Sequence, residues 1–166
     1  MALQFGRDYA GMTGTFTGIG RCAADASSII YMLKAGFLGF AGVEVDLFTV
    51  PEIFNEVGWP ELPLTVVTLE NAPEGESNDY LLLRLAEENS LAVLSEDKKL
   101  LLEAEKRGLK YYNSLMLLIF LRYRDRIIDD DYRELRERLL LTARYSRDVI
   151  EYADTIYTRL IPPVSG

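Results

Sequence analysis

Chemistry in this sequence has to start from its acids, because the common alternatives are missing. The chain has no histidine and one cysteine, Cys22. That removes Ser-His-Asp triads, Cys-His pairs, imidazole acid–base catalysis, imidazole and multi-thiolate metal sites, and internal disulfides. Hydrolysis is left to carboxylates with hard cations, or to Lys, Tyr and Ser alone. Four acids are placed as carboxylate chemistry would need. Asp25 ends the short apolar stretch Cys22-Ala-Ala24, and Asp97 follows the apolar run Leu91-Ala-Val-Leu94 in the turn Ser95-Glu-Asp97. Glu56 lies in the helical stretch VPEIFNEVG, and Asp79 in NDYLLLRLA. Parallel sheets place their sites at the carboxyl ends of strands. Four carboxylates gathered there would repel one another strongly unless a cation bridged them. Oxygen-only ligands suit Mg²⁺ or Mn²⁺, which can activate water and stabilise charge developing on a phosphodiester.

Those positions depend on the elements around them. Ala26 to Ala35 has helical spacing, with Ile29, Ile30, Leu33 and Phe37 on one face and Gly36 as the stop. Val43 to Val50 alternates apolar and polar residues like a strand, and Pro51 opens a helix through Val57. Gly58-Trp-Pro60 breaks it, and Leu64 to Leu69 is strand-like. Ser77 caps a helix through Asn89, with acids in its first turn. Leu91–Leu94 is a buried strand, Lys98–Arg107 a helix closed by Gly108, and Leu109–Tyr112 a strand. Helices over 114–124, 129–141 and 147–159 follow. Strands alternating with helices predict an α/β three-layer sandwich with a mainly parallel central sheet and extra C-terminal helices. We divide the chain into an N-terminal extension over 1–20, an α/β domain over 21–141, and a C-terminal helical extension over 142–166 packed on the same domain.

Length and charge set further bounds. At 166 residues the chain is one domain with a real core. Its longest apolar run, Leu115–Leu121, is far short of the roughly 20 residues that span a bilayer, and MALQFGRDYAGMTG lacks a secretion signal. We expect a cytoplasmic protein with no membrane contact. Gly18-Ile-Gly20-Arg-Cys-Ala23 fits a dinucleotide fingerprint on paper, but its glycines precede the first strand instead of following it. The net charge of −8 makes general phosphate binding poor. The acids concentrate in 41–88, which carry a net −10, whereas 98–110 carry +3. Residues 122–138 hold six bases and six acids, a salt-bridged exterior by composition.

At the four acids the sequence resembles the PIN-domain family of metal-dependent ribonucleases, from about Arg21 to Leu141. The segment AADASSIIYMLKAG is similar to the family's opening strand, Asp, Ser/Thr and apolar helix. VPEIFNEVG resembles its Val-Pro helix ending in a metal-site Glu. GESNDYLLLRLAEENSLAVLSEDKKLLLEAEKRGL carries the most specific likeness: a helix-borne acid, a buried strand, a Ser/Thr-x-Asp turn and a basic helix closing in Gly. NSLMLLIFLRYRDRIIDDDYRELRERL is similar to the family's terminal helical segment.

The resemblance implies catalytic and Mg²⁺- or Mn²⁺-binding roles for Asp25, Glu56, Asp79 and Asp97, with Ser27 and Ser95 as supporting hydroxyls and Lys98 and Lys99 as phosphate contacts. Glu76 is an alternative third acid, one helical turn from Asp79, and Glu52 a weaker rival to Glu56. The implied function is hydrolysis of RNA phosphodiesters, by a homodimer acting as the toxin of a toxin–antitoxin pair, with an antitoxin protein as partner. The alternative is a non-catalytic PIN-like module that binds nucleic acid or protein. An aspartyl phosphatase would want a second Asp where the chain has Ser27. Each acid also has a plain structural reading: Asp25 and Asp97 as helix N-caps, Glu56 as a solvated helix residue, and Asp79 as a first-turn acid. The tyrosines Tyr123, Tyr132, Tyr145, Tyr152 and Tyr157 read as core or oligomer contacts, and Trp59 and Cys22 as packing.

Overall fold

A computed structural model describes residues 14–163. Five strands run through it: β1 (Arg21–Ala24), β2 (Asp46–Thr49), β3 (Thr65–Val66), β4 (Ala92–Leu94) and β5 (Tyr111–Tyr112). They form one sheet in the order β3-β2-β1-β4-β5, and every pairing is parallel. Cys22 pairs with Leu47 on one side and Ala92 on the other, so β1 is the central strand. Its Cys22, Ala23 and Ala24 are fully buried. Small side chains suit that place, because helices cover both faces of a parallel sheet and lie close to its middle strand. Burial pushes the Cys22 thiol up to about 12, so it packs as a small apolar group.

Among the described residues eight helices surround the sheet: α1 (Ala26–Ala35), α2 (Leu38–Glu44), α3 (Pro51–Val57), α4 (Asn78–Asn89), α5 (Lys98–Lys106), α6 (Ser114–Tyr123), α7 (Asp129–Thr142) and α8 (Arg147–Leu160). Parallel crossovers are right-handed, so steps from β1 toward β3 and steps from β4 toward β5 place their helices on opposite faces. The contacts agree. α1 packs on α2, α3, α6 and α7, while α4 lies on β1 and β4, and α5 on β5. Arg107 at the end of α5 reaches Glu87 of α4 at 2.5 Å. The architecture is therefore the expected α/β three-layer sandwich, with an all-parallel sheet. α8 packs on α6 and buries Ala153 and Ile156.

The turn order matters for function. After β3 the chain crosses back over β2 and β1 to form β4, so the winding reverses between β1 and β4. Loops diverge from the sheet at such a reversal and leave a crevice at the carboxyl ends of the two strands.

Three local expectations differ from the structure. The strand expected from Val43 begins only at Asp46, because Leu38–Glu44 is helix. Val43 is 84% exposed there, while Leu38 and Ala41 are buried. Two glycines weaken the helical signal of this segment. Gly42 is needed for packing, since a Cβ on it would lie 2.7 Å from the Pro63 side chain. The strand expected over Leu64–Leu69 shrinks to Thr65–Val66, both exposed at the sheet edge. Trp59, read as packing, is 53% exposed. Of the extension expected over 1–20, residues 1–13 lie outside the described residues. Within the rest, Ile19 is buried and the Phe16 ring sits 5.1 Å from that of Phe120.

Candidate functional site

A cleft of about 510 Å³ opens at the β1/β4 reversal. It is lined by Asp25, Ala26, Ser27, Tyr31, Glu56, Asn78, Asp79, Glu96 and Asp97. All four acids singled out from the sequence are among them, delivered by four different segments.

Asp25 is the residue after β1, held by its backbone N–H on the Leu94 carbonyl of β4 (2.9 Å). Its Oδ1 accepts from the Ala26 N–H (2.9 Å), which makes it the N-cap of α1. Its Oδ2 accepts from the Ser95 hydroxyl (2.9 Å) and, more weakly, from that of Ser27 (3.4 Å). Burial pushes the Asp25 carboxyl above its usual range, these hydrogen bonds pull it back, and the Glu56 charge raises it further. Ser95 is fully buried and also accepts from the Asp97 N–H (3.0 Å), so one hydroxyl orients both acids that follow central strands. Asp97 in turn caps α5 through Oδ1, which accepts from the Lys99 and Leu100 N–H groups (2.8 and 3.3 Å). Its Oδ2 has no hydrogen-bond partner among the described residues.

The other two acids come from helices. Glu56, one residue before the end of α3, accepts from Asn78 Nδ2 (2.8 Å). Asp79 stands in the first turn of α4 behind the Ser77 cap. Its carboxyl is pushed up by burial first, then by the charges of Asp25, Asp97 and Glu56. Acids that act on Asp25 and Asp79, with no Lys or Arg in the lining, are the electrostatic signature of this cleft. The helix-cap readings of Asp25 and Asp97 hold as well, since the caps use Oδ1 of each, while Oδ2 of Asp25 takes the two serine hydroxyls.

The remaining candidates lie elsewhere. Lys98 and Lys99 are exposed in the first turn of α5, outside the cleft lining. Glu76 is exposed in the turn before α4, and Glu52 in the first turn of α3; neither lines the cleft. Sequence reasoning missed Tyr31, Asn78 and Glu96. Asn78 and Glu96 are chain neighbours of Asp79 and Asp97, and Tyr31 follows Ser27 by one helical turn. Adjacency was thus the available signal, without any distinguishing spacing.

Glu96 plays a different part from the other acids. Its carboxylate is saturated by donors: the Ser28 hydroxyl, the Ser114 N–H and hydroxyl (each 3.1 Å) and the Tyr145 hydroxyl. It ties the turn after β4 to α1, to the start of α6 and to the α7–α8 loop. Burial, followed by the Glu96 charge, pushes the Tyr145 hydroxyl far up, which keeps it a donor.

Oxygen donors alone line the acidic cleft, a donor set that suits a hard divalent ion. Among the described residues no group of three or more Asp, Glu or Cys side chains is arranged to hold a metal as it stands. No single helix among them is long and apolar enough to cross a membrane. No family model matches the chain, and neither does any curated protein.

Proposed function

We infer that the cleft is the active site of a metal-dependent ribonuclease of PIN type, with Asp25, Glu56, Asp79 and Asp97 as the residues that would hold Mg²⁺ or Mn²⁺. The observation that carries this reading is the convergence of four acids from separate segments, uncompensated by any basic side chain in the cleft lining, at the reversal between β1 and β4. Two of the four, Asp25 and Asp79, are held above the usual carboxylate range by burial and by neighbouring acids, and perturbed groups in a cleft are functional-site candidates. A bound divalent ion would supply a Lewis acid and a means of activating water.

The chain's own residues supply the rest. Ser95 keeps Asp25 oriented and stabilises its ionised form. Ser27 adds a weaker donor from α1. Asn78 fixes the rotamer of Glu56. Asp97 keeps one oxygen free while its cap bonds hold the side chain still. The toxin role, the antitoxin partner, the homodimer and the cytoplasmic setting are further parts of this proposal and follow from the family resemblance.

The non-catalytic alternative has one observation in its favour, the lack of a ready three-ligand group. The two readings part in one assay. With Mn²⁺ and single-stranded RNA, the chain cleaves, and Asp25→Asn loses at least about a hundredfold in rate, comparable to removing a principal electrostatic stabiliser. Asn keeps an oxygen for the α1 cap, so folding is retained. Cleavage that persists in Asp25→Asn, or no cleavage by the wild-type chain, defeats the nuclease reading.

A further inference from the structure

We propose that a second pocket beside the cleft, with Arg144 in its wall, binds the phosphate of a neighbouring nucleotide on the RNA strand being cut. This rests on the nuclease reading and adds a substrate subsite to it. The pocket is lined by Tyr31, Glu96, Thr142, Ala143, Arg144 and Tyr145 and holds about 220 Å³. Two of these, Tyr31 and Glu96, are also walls of the acidic cleft, so the two hollows adjoin.

Arg144 is exposed and has no ion pair, hydrogen bond or ring contact among the described residues. The neighbouring arginines contrast with it. Arg136 is bound to Asp154, Arg138 to Glu134 and Arg147 to Glu151. On a chain of net charge −8, a guanidinium left without a carboxylate beside an acidic cleft is the group best placed to meet an incoming phosphate. Its planar fork can take two phosphate oxygens at once.

The one acid in this pocket, Glu96, has its oxygens engaged by Ser28, Ser114 and Tyr145 and leaves Arg144 unpaired. The same bonds fix Tyr145, the residue next to Arg144, and so hold the guanidinium's backbone in place relative to the cleft. Tyr31, whose hydroxyl has no partner among the described residues, lines both hollows.

The test compares two substrates with Mn²⁺ in the full chain. A dinucleotide has only the scissile phosphate, whereas a short single-stranded oligonucleotide also has neighbours. For the oligonucleotide, Arg144→Ala raises KM about tenfold with kcat within about twofold, and the salt dependence of binding flattens by about 0.7 in the log–log slope. Arg144→Lys recovers part of the loss. The dinucleotide is cleaved alike by both proteins. Arg147→Ala, which removes a paired arginine three residues away, changes neither. If the wild-type chain cleaves neither substrate, the nuclease reading falls and takes this inference with it. If it cleaves both, and Arg144→Ala matches it on the oligonucleotide, only the subsite is overturned. Equal impairment on the dinucleotide also overturns it, by placing Arg144 at the scissile bond.

Discussion

Two acid-rich regions of this protein have opposite electrostatics. On the helical side, acids meet arginines: Glu44 holds Arg124 and Arg126 (2.8 and 2.6 Å), Asp129 holds Arg122 (2.7 Å), and Asp154 holds Arg136 (2.9 Å). The Arg124 and Arg126 guanidinia hold the Glu44 carboxyl below its usual range, and Arg122 with the Tyr157 hydroxyl does the same for Asp129. At the β1/β4 crevice, Asp25, Glu56 and Asp97 meet backbone N–H groups, hydroxyls and the Asn78 amide but no Lys or Arg, and Asp25 and Asp79 are pushed up. The number of acids therefore says little about function. What marks the crevice is that its charge is left uncompensated where four chain segments converge.

The largest effect that would sharpen this contrast is ligand stabilisation. A cation that binds only the folded chain stabilises it by mass action, about 2.7 kcal/mol at a hundred times its dissociation constant. Mn²⁺ should raise the melting temperature of the wild-type chain and leave that of the Asp25→Asn/Asp79→Asn double variant unmoved. An equal shift in both would place the ion elsewhere.

The pH dependence comes next, and its sign differs between the two regions. A carboxyl lowered by folding contributes stability that is present above its unfolded pKa and lost as pH falls through the folded value. Arg122→Ala, which strips Asp129 of its cation, should therefore lower the melting temperature at neutral pH, with the difference closing in strong acid. A carboxyl raised by folding works the other way: its relative stability is present below the unfolded pKa and lost as pH rises through the folded value. Without divalent ions, Asp79→Asn should thus melt above the wild type at neutral pH, and the gain should disappear below about pH 4, near the ordinary carboxylate pKa. Melting curves across pH that moved in the same direction for both variants would erase the distinction.

The smallest effect separates Asp79 from its rival. Glu76 is exposed and lies outside the cleft lining, so Glu76→Gln should change stability by no more than about 0.5 kcal/mol and leave the Mn²⁺ shift intact. A lost shift would move the third acid to Glu76.

Much of this arrangement could be read from the sequence, for a specific reason. The sheet's strands and the acids after β1 and β4 announce themselves locally: an apolar run, then an acid, then a helix that needs a cap. Asp25 and Asp97 do both jobs, so a cap signal also located the cleft. Glu56 and Asp79 were found by their places on helices that begin near the same edge, and Glu56 was preferred to Glu52 by its offset in the family resemblance. The failures fall where local signals are silent. α2 has glycines that weaken its propensity, and Gly42 is there to let Pro63 approach. Glu96 looks like one more surface acid in SEDKK, yet its partners Ser114 and Tyr145 are 18 and 49 residues away. Arg144 sits in a loop whose sequence gives no hint that its neighbours are paired and it is not.

The bonds that converge on Glu96 also constrain how this chain can vary in length. The loop between α7 and α8 is fastened at Tyr145 to the turn after β4, not only to the helices it joins. Residues added or removed between Thr142 and Ser146 would have to be absorbed without moving that hydroxyl, or the turn bearing Asp97 would lose one of its moorings. Sequences that share this architecture should therefore tolerate insertions around 70–76, where the chain is an open exposed turn, far more readily than at the short bend before α8.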